Sequence, residues 1–563
     1  MAKIVFDWFK GFNTINGLGH IYGSTERQWK AFWTLLTFGF LIVTGYSAFL
    51  IVMEFFKYDV VTKFSVDHKD RLVIPSVTIC NANRVHCGNL MKKIEDYDKA
   101  NETRNEMLCK LFKLTGCDVS VQVYENMDNG EITSNLSICN VSEYNYTYID
   151  TLHEYLNQDE ISQAFLEIYF KLNRTELSDL AHTPTDTIKK CSMGPITVTD
   201  ECLKTMSGEN ATRIITPRYG VCYLHNFEPL NSSKHSEASG SSGPDYGLNL
   251  ILDIQSDNYM RYGLSQFTGM ILTLNDPNTM PMVLAKPIFL TPNTHAAIKV
   301  FKKVIMRQKS PYVTDCSDTY PQKYQSHVNF TSVKYSNDFC KAKCKVDFVH
   351  KVCGCFDPLL MEAIFLSQMD VHKNNFCSVV TNSTQRNCAS NAIDEYSWGE
   401  GGADQCPCKT DCYKSSYDVR PNFNIFTLHS FSTGYFQYTL SETQWPSDQN
   451  LLMLAQQFGI KYNGYKVTYK EQQEIELHGE DAQEGYLDEF KDKVQNNFMQ
   501  VVIYYGSLDV EAVSEEPEYT FLTFLSGLGG ALSLYLGISF IQVFEVVEFL
   551  VKLFASFAQN VKK

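Results

Sequence analysis

The cysteines are the residues of this chain best placed to do chemistry. They gather at Cys340-x3-Cys344, Cys353-x-Cys355 and Cys406-Pro-Cys408-x3-Cys412. Thiolates at such spacings can hold zinc or pair as disulfides. The compartment decides between the two. Nine Asn-x-Ser/Thr acceptors begin at Asn101, Asn135, Asn140, Asn145, Asn173, Asn210, Asn231, Asn329 and Asn382. They share one long segment with all 18 cysteines, which run from Cys80 to Cys412. Glycosylation acceptors and dense cysteine mark an oxidising exterior, where disulfides form and persist. Eighteen permits nine bridges, but spacing does not say which. No metal site is expected.

Catalytic signatures are missing. There is no Gly-x-Ser-x-Gly elbow and no His-Glu-x-x-His. The glycine loop GLGHIYG (17–23) has the wrong spacing for phosphate and no strand before it. The 13 histidines stand singly. A net charge of −15 repels phosphate backbones and argues against a nucleic-acid partner. With 44% apolar and 20% charged residues, the chain is neither disordered nor a coiled-coil rod. No enzyme activity and no cofactor are expected.

Two uncharged runs set the class. Residues 31–53 (AFWTLLTFGFLIVTGYSAFLIVM) and 519–544 each exceed the roughly 20 apolar residues that a spanning helix needs. The first begins too late and runs too long for a cleaved signal peptide. Both tails are net basic, as cytoplasmic flanks are. The expected order is a cytoplasmic segment 1–30, a first span 31–53, an extracellular body 54–518, a second span 519–550 and a cytoplasmic segment 551–563. The acidity belongs to the body.

About 460 residues can bury a large core. RLVIPSVTIC (71–80), GLNLILDIQ (247–255), TGMILTLND (268–276) and NFMQVVIYYGSLDVEAV (497–513) read as strands. In the last, Leu508 and Val510 alternate with Asp509 and Glu511. DEISQAFLEIYFKL (159–172) and YSNDFCKAKCKVDFVHKVC (335–353) read as helices, the second placing Cys340 and Cys344 on one face. Residues 231–247 read as a flexible surface loop. The body is mixed α and β, with strands running directly toward both spans.

The second span is more than an anchor. Small residues recur at Ser526, Gly527, Gly529, Gly530, Ala531, Ser533, Gly537 and Ser539. Close helix packing is one reason for that pattern. A pore is the other. Gly537 can leave helical geometry at little steric cost, and freed carbonyls can replace part of an ion's hydration shell. Asp509, Glu511, Glu515, Glu516 and Glu518 precede the span, and Glu545 and Glu548 lie near its inner end. Negative mouths concentrate cations. One helix cannot enclose a pore, so an oligomer is implied.

NGLGHI (16–21), IPSVTICN (74–81), TPRYGVCYLHN (216–226), the cysteine stretches 340–361 and 406–419, and LGGALSLYLGIS (528–539) together resemble the degenerin / epithelial sodium channel / acid-sensing channel family, in order and end to end. The resemblance implies an α+β membrane protein. Two transmembrane helices would flank a disulfide-rich, hand-shaped ectodomain with a β-sheet palm, a helical finger (roughly 87–222) and a helical thumb (roughly 310–412). It implies a trimeric, sodium-selective channel blocked by amiloride, with Na+ as the permeant ion. Gly537, Ile538 and Ser539 match the selectivity filter. Ser526 matches the outer-mouth position at which bulky side chains hold such channels open, with Gly529 and Gly530 in the same amiloride region. Glu545, with Glu548 beyond it, matches the acidic inner end. Tyr58 and Tyr312 match an aromatic pair that couples the first span to the thumb base, where the family often has Trp in place of Tyr312. Asn16, Gly17 and His20 match a gating motif whose usual His is Asn16 here.

Family members open to protons, peptides or force, or stay open. The stretch after the first span, FFKYDVVTK (55–63), has no His, which disfavours a proton gate. EYNYTYIDTLHEYLNQDE (143–160) offers Tyr144, Tyr146, Tyr148, Tyr155, Asp150 and Glu154. Aromatics and carboxylates suit a cationic amidated peptide, whereas a plain hydrated surface needs no ligand. The chain looks most like the invertebrate FMRFamide-gated members, so an extracellular peptide partner is expected in a homotrimer at the plasma membrane. ATP-gated two-span channels are disfavoured by the acidic body, and a non-conducting adhesion protein would not need Gly537.

Overall fold

The computed structural model describes residues 18–95, 102–117, 158–194, 212–227, 238–260, 267–322, 333–357, 383–398, 406–426 and 495–539, with single positions between and after these. In chain order the elements are α1 (Leu18–Gly23), α2 (Arg27–Lys57), β1 (Val60–His68), β2 (Leu72–Val73), β3 (Ser76–Asn81), α3 (Cys87–Glu95), α4 (Glu102–Thr115), α5 (Gln158–Tyr169), α6 (Arg174–Leu180), α7 (Pro184–Thr187), β4 (Ile188–Met193), β5 (Arg213–Thr216), β6 (Gly220–His225), β7 (Ala238–Ser239), β8 (Leu248–Asp253), β9 (Met270–Asn275), β10 (Ile288–Leu290), β11 (Thr294–Met306), α8 (Asn337–Cys353), β12 (Ile364–Phe365), α9 (Ser383–Trp398), β13 (Tyr413–Ile425), β14 (Phe498–Pro517) and α10 (Phe521–Leu536). They fall into two units, one of residues 1–65, 305–317 and 513–563, the other of residues 66–304 and 318–512.

The larger unit is built on two sheets. One runs β13-β11-β14-β8-β4, with β1 also on β14; the other runs β10-β9-β3-β6-β5-β12. Their facing sides form a single core. Leu248, Leu250, Leu252, Met499, Val501 and Ile503 come from the first sheet, and Val77, Ile79, Met270 and Leu272 from the second. Every residue of β3 and β6 is buried, including the polar Ser76 and Thr78 that alternate with Val77 and Ile79 along β3. Cys80 and Cys222 sit directly opposite on these two strands, Cα atoms 4.4 Å apart, and are joined by a disulfide. That separation is the one expected of a non-hydrogen-bonded antiparallel pair. Gly269 enters β9 at φ 153°, where a Cβ would lie 2.0 Å from the Leu290 carbonyl oxygen. Only glycine fits there.

A separate helical core gathers Leu90, Met91, Leu108, Leu111, Phe165, Tyr169, Leu177 and Leu180 from α3, α4, α5 and α6. The expected 159–172 helix is α5, with Phe165 and Tyr169 fully buried. Cys87–Cys117 closes this group. Asn173 caps α6. Its side chain accepts from the Glu176 N–H, while the Glu176 carboxylate accepts from the Asn173 N–H at 2.7 Å. The other eight glycosylation acceptors lie outside the described residues.

Helix α8 is the expected 335–353 helix. Ser336 caps its start, and Gly354 ends it in a left-handed conformation. Cys340 and Cys344 do share a buried face, and they bond to Cys408 and Cys406 respectively. Four residues of helix advance about 6 Å, and two residues of near-extended chain span up to about 7 Å, so two bonds fit side by side. Cys353–Cys388 ties the far end of α8 to α9, and Cys355–Cys377 ties the residues just after α8 to the segment before α9. Every described cysteine is disulfide-bonded, so none is a zinc ligand.

Buried charge near β8 makes the larger unit pH-sensitive. Asp253, sealed by burial despite Lys189 at 4.0 Å and the Gln255 N–H at 3.0 Å, is pushed up to about 7. His86 and His182, edge-to-face at 5.1 Å, are pushed down by the same desolvation to about 4 and about 3. Folding therefore takes up a proton at Asp253 between the ordinary carboxylate value and about 7, and that contribution is lost as pH rises through about 7. The histidines act oppositely, since their neutral fold loses stability as pH falls below the ordinary imidazole value. Replacing Asp253 with Asn should stabilise the fold relative to wild type increasingly from about pH 4 to about pH 8, by up to about 4 kcal/mol, seen as a growing difference in melting temperature. Thermal unfolding of both proteins across that range checks it; a pH-independent difference would mean the carboxyl titrates normally.

Candidate functional site

The smaller unit holds the expected pore and gating residues. Helix α2 extends four residues beyond the expected 31–53 span at each end. At 31 residues it is about 46 Å long, more than a bilayer core requires. Apolar side chains stand exposed around it, including Leu35, Phe38, Tyr46 and Phe56, and Thr44 is its one buried residue. An apolar helix so widely exposed calls for lipid or other subunits around it.

Among the described residues, α2 is the one helix long and apolar enough to cross a membrane alone. The expected second span 519–550 is interrupted. Helix α10 is apolar but has only 16 residues, about 24 Å, and it stops where Gly537 turns left-handed at φ 67°, ψ 20°. The Gly537 N–H donates to the Leu532 and Ser533 carbonyls, and the Ile538 N–H donates to Leu532. This is a glycine-capped end, with the carbonyls beneath it satisfied from within. Ile541, Phe544, Val547, Glu548 and Val551 are again helical and exposed; Glu545 lies outside the described residues.

Helix α10 packs on α2 by one face. Phe524 meets Phe55 at 4.5 Å between ring centroids, Tyr535 meets Phe40 at 6.2 Å, and a Cβ on Gly527 would touch Ile51 at 3.6 Å. Ser526, Gly529, Gly530 and Ser533 fall on the opposite side at helical spacing and are exposed, and Gly537 continues that line. A Cβ on Gly529 or Gly530 would meet nothing within 4 Å. Helix packing thus accounts for Gly527 and Ala531, but not for this second row of small residues.

The gating residues divide. Asn16 and Gly17 lie outside the described residues, while His20 sits in α1, its ring stacked on Trp33 at 4.4 Å and 13°. Tyr58 and Tyr312 do come together, edge-to-face at 5.7 Å and 87°. Tyr58 ends α2 in a left-handed conformation, φ 54°, costly for a residue with a Cβ. Its carbonyl accepts from the Val313 N–H, and its ring also lies against Phe55 and Phe56. Tyr144, Tyr146, Tyr148, Asp150, Glu154 and Tyr155 lie outside the described residues.

The acidic mouth needs correction. The Glu515 carboxylate is not open to ions: it accepts from the Gln308 N–H at 3.1 Å and the Thr314 hydroxyl at 2.6 Å, while its carbonyl accepts from Gln308 Nε2. Asp509 binds His68 at 2.8 Å, and Glu516 binds Lys63 at 3.2 Å. A run of five acids in sequence says nothing of β1, whose exposed His68 and Lys63 partner Asp509 and Glu516. Residues Gln308 and Thr314 were missed for the same reason, since nothing marks a polar residue as the partner of a carboxylate two hundred positions away. Truncating Tyr58 and Tyr312 to Ala, singly and together, should give a coupling energy of about 1 kcal/mol in thermal unfolding. Additive effects would reduce the ring contact to mere proximity.

Comparison with known proteins completes the picture. Residues 12–549 match the amiloride-sensitive sodium channel family. The chain is 22% identical to epithelial sodium channel subunit alpha of Neoceratodus forsteri over 98% of its own length and 80% of that protein. It is 24% identical to subunit beta of Homo sapiens over 58% of its own length and 55% of that protein. It is 25% identical to Degenerin unc-8 of Caenorhabditis elegans over 67% and 40% respectively. The chain thus spans little more than half of the human beta subunit and less than half of the worm degenerin. With a family match from residue 12 to 549 around an apolar helix, a disulfide-braced body and a glycine-broken second helix, the chain belongs to the amiloride-sensitive sodium channel family.

Proposed function

We propose that this chain forms a trimeric, sodium-selective, amiloride-sensitive channel of the plasma membrane, opened by an extracellular FMRFamide-like peptide. Both termini face the cytoplasm, and residues 54–518 stand outside, with 87–222 as finger and 310–412 as thumb. The observation that carries the pore is the uncovered row Ser526, Gly529, Gly530 and Ser533 leading to Gly537. Three copies of that row around an axis would bring small side chains to a narrow water-filled path. Irregular backbone at Gly537, Ile538 and Ser539 is tolerated at membrane depth when it lines such a path. Glu545 and Glu548 would hold cations at the inner end.

Coupling to the body would run through Tyr58 and Tyr312. The loop that bears Tyr312 is fixed to Glu515, two residues before β14 ends, and Thr520 caps α10 three residues after that end. A shift of that loop would therefore reach both helices. Tyr144 to Tyr155 remain the proposed peptide site, on their chemistry alone. Asn16, Gly17 and His20 would set how readily the pore opens.

Expressed alone in oocytes, the chain should pass a sodium current when FMRFamide is applied, and amiloride should block it. An acid response without a peptide response would keep the pore and overturn the gating. Ser526→Cys should yield a standing current after a bulky thiol reagent; no change in any current would remove the pore assignment. Gly537→Ala forces a Cβ into the left-handed region at a cost of about 1–2 kcal/mol, and should lower the sodium-to-potassium permeability ratio measured from reversal potentials.

A further inference from the structure

In the larger unit, a cavity of about 470 Å³ opens between α3, the end of α6, the start of α7 and the β5–β6 pair. That volume suits a small organic molecule rather than a lone ion. Its wall carries Lys92, Lys93 and Arg213 against one carboxylate, Asp179. In a chain of net charge −15 this balance is reversed.

Each polar group has a stated position. Asp179 holds Lys93 at 2.7 Å. Lys92, exposed on α3, pairs with no carboxylate among the described residues. Arg213 lies over the Tyr223 ring at 5.9 Å and donates from Nη1 to Ser178 Oγ at 2.6 Å. Its Nε is buried and makes no hydrogen bond among the described residues. A buried guanidinium donor left unpaired is costly, and an acceptor from a ligand would satisfy it. The Tyr223 hydroxyl is committed to the His182 carbonyl at 2.7 Å, and Asn89 Nδ2 to the Ala181 carbonyl at 2.9 Å, so both hold the wall rather than the ligand. Thr183 and Thr185 are 3.1 Å apart, and Thr183 also meets the Asp186 carboxylate behind them. Another cavity of this unit, about 330 Å³, differs: its Lys334 is matched to Asp276 and its Lys414 to Asp338.

We propose that this cavity binds a small organic oxyanion, a carboxylate or phosphate seated between Lys92 and the Arg213 fork, with its remaining polar groups against Ser178 and Thr185. Arg213 supplies planar, directional donors, and Lys92 supplies a point charge at the rim. The site is separate from the pore and does not depend on what the channel conducts.

The test is thermal unfolding of the purified full-length protein titrated with inorganic phosphate or with citrate, ionic strength held constant with potassium chloride. A saturable rise in melting temperature is expected with at least one probe below about 20 mM. Phosphate alone would identify the phosphoryl class, and citrate alone the carboxylate class. Lys92→Gln, at an exposed position that should not disturb folding, should raise the half-saturating concentration about tenfold, and Arg213→Gln by at least as much if it folds. No saturable shift with either probe, or an undiminished shift in Lys92→Gln, overturns the site.

Discussion

Three stretches far apart in the chain meet where α2 ends, and backbone hydrogen bonds hold them there. The Tyr58 carbonyl accepts from Val313, and the Asp59 carbonyl accepts from Glu518 at 3.0 Å. Glu515 receives Gln308 and Thr314. These contacts fix where the membrane-facing helices begin relative to residues 305–317. Side chains alone could not do this, because exposed ion pairs such as Lys63–Glu516 contribute at most about 1 kcal/mol. Paired backbone groups and a half-buried aromatic contact give the junction a single geometry. The strained Tyr58 backbone is tolerated because its neighbours over-determine it.

Much of this was legible in the sequence where burial writes a pattern. The runs at 247–255, 268–276 and 497–513 carry strand periodicity because one or both faces meet the core, and they fold as β8, β9 and β14. Helix α8 announced itself through Cys340 and Cys344. Strand β1 left no trace because almost none of it is buried, so neither face was under pressure to be apolar. Strand β11 is a different case: Ala296, Ile298 and Val300 do alternate, but with Lys299, Lys302 and Lys303 around them the segment reads as a polar connection.

The pore segment shows the same limit. Gly537 was a reasonable place for the helix to break, and it breaks there. The sorting of small residues into a row on α2 and a row facing away cannot be had from composition, since it depends on where the partner helix lies. Acidic residues misled for a related reason: charge is visible in sequence, whereas the cation or N–H that occupies it is not.

The paired bonds from α8 to residues 406 and 408 have a mechanical meaning. A helix fastened at one point can still roll about its own axis and slide by a fraction of a turn. Fastened on two successive turns, it loses both freedoms. Torque on α8 is then passed through both bonds to the short link that leads, four to five residues beyond Cys408, to Cys412 and the start of β13. In the language of machines, this part of the molecule is a keyed shaft rather than a hinge.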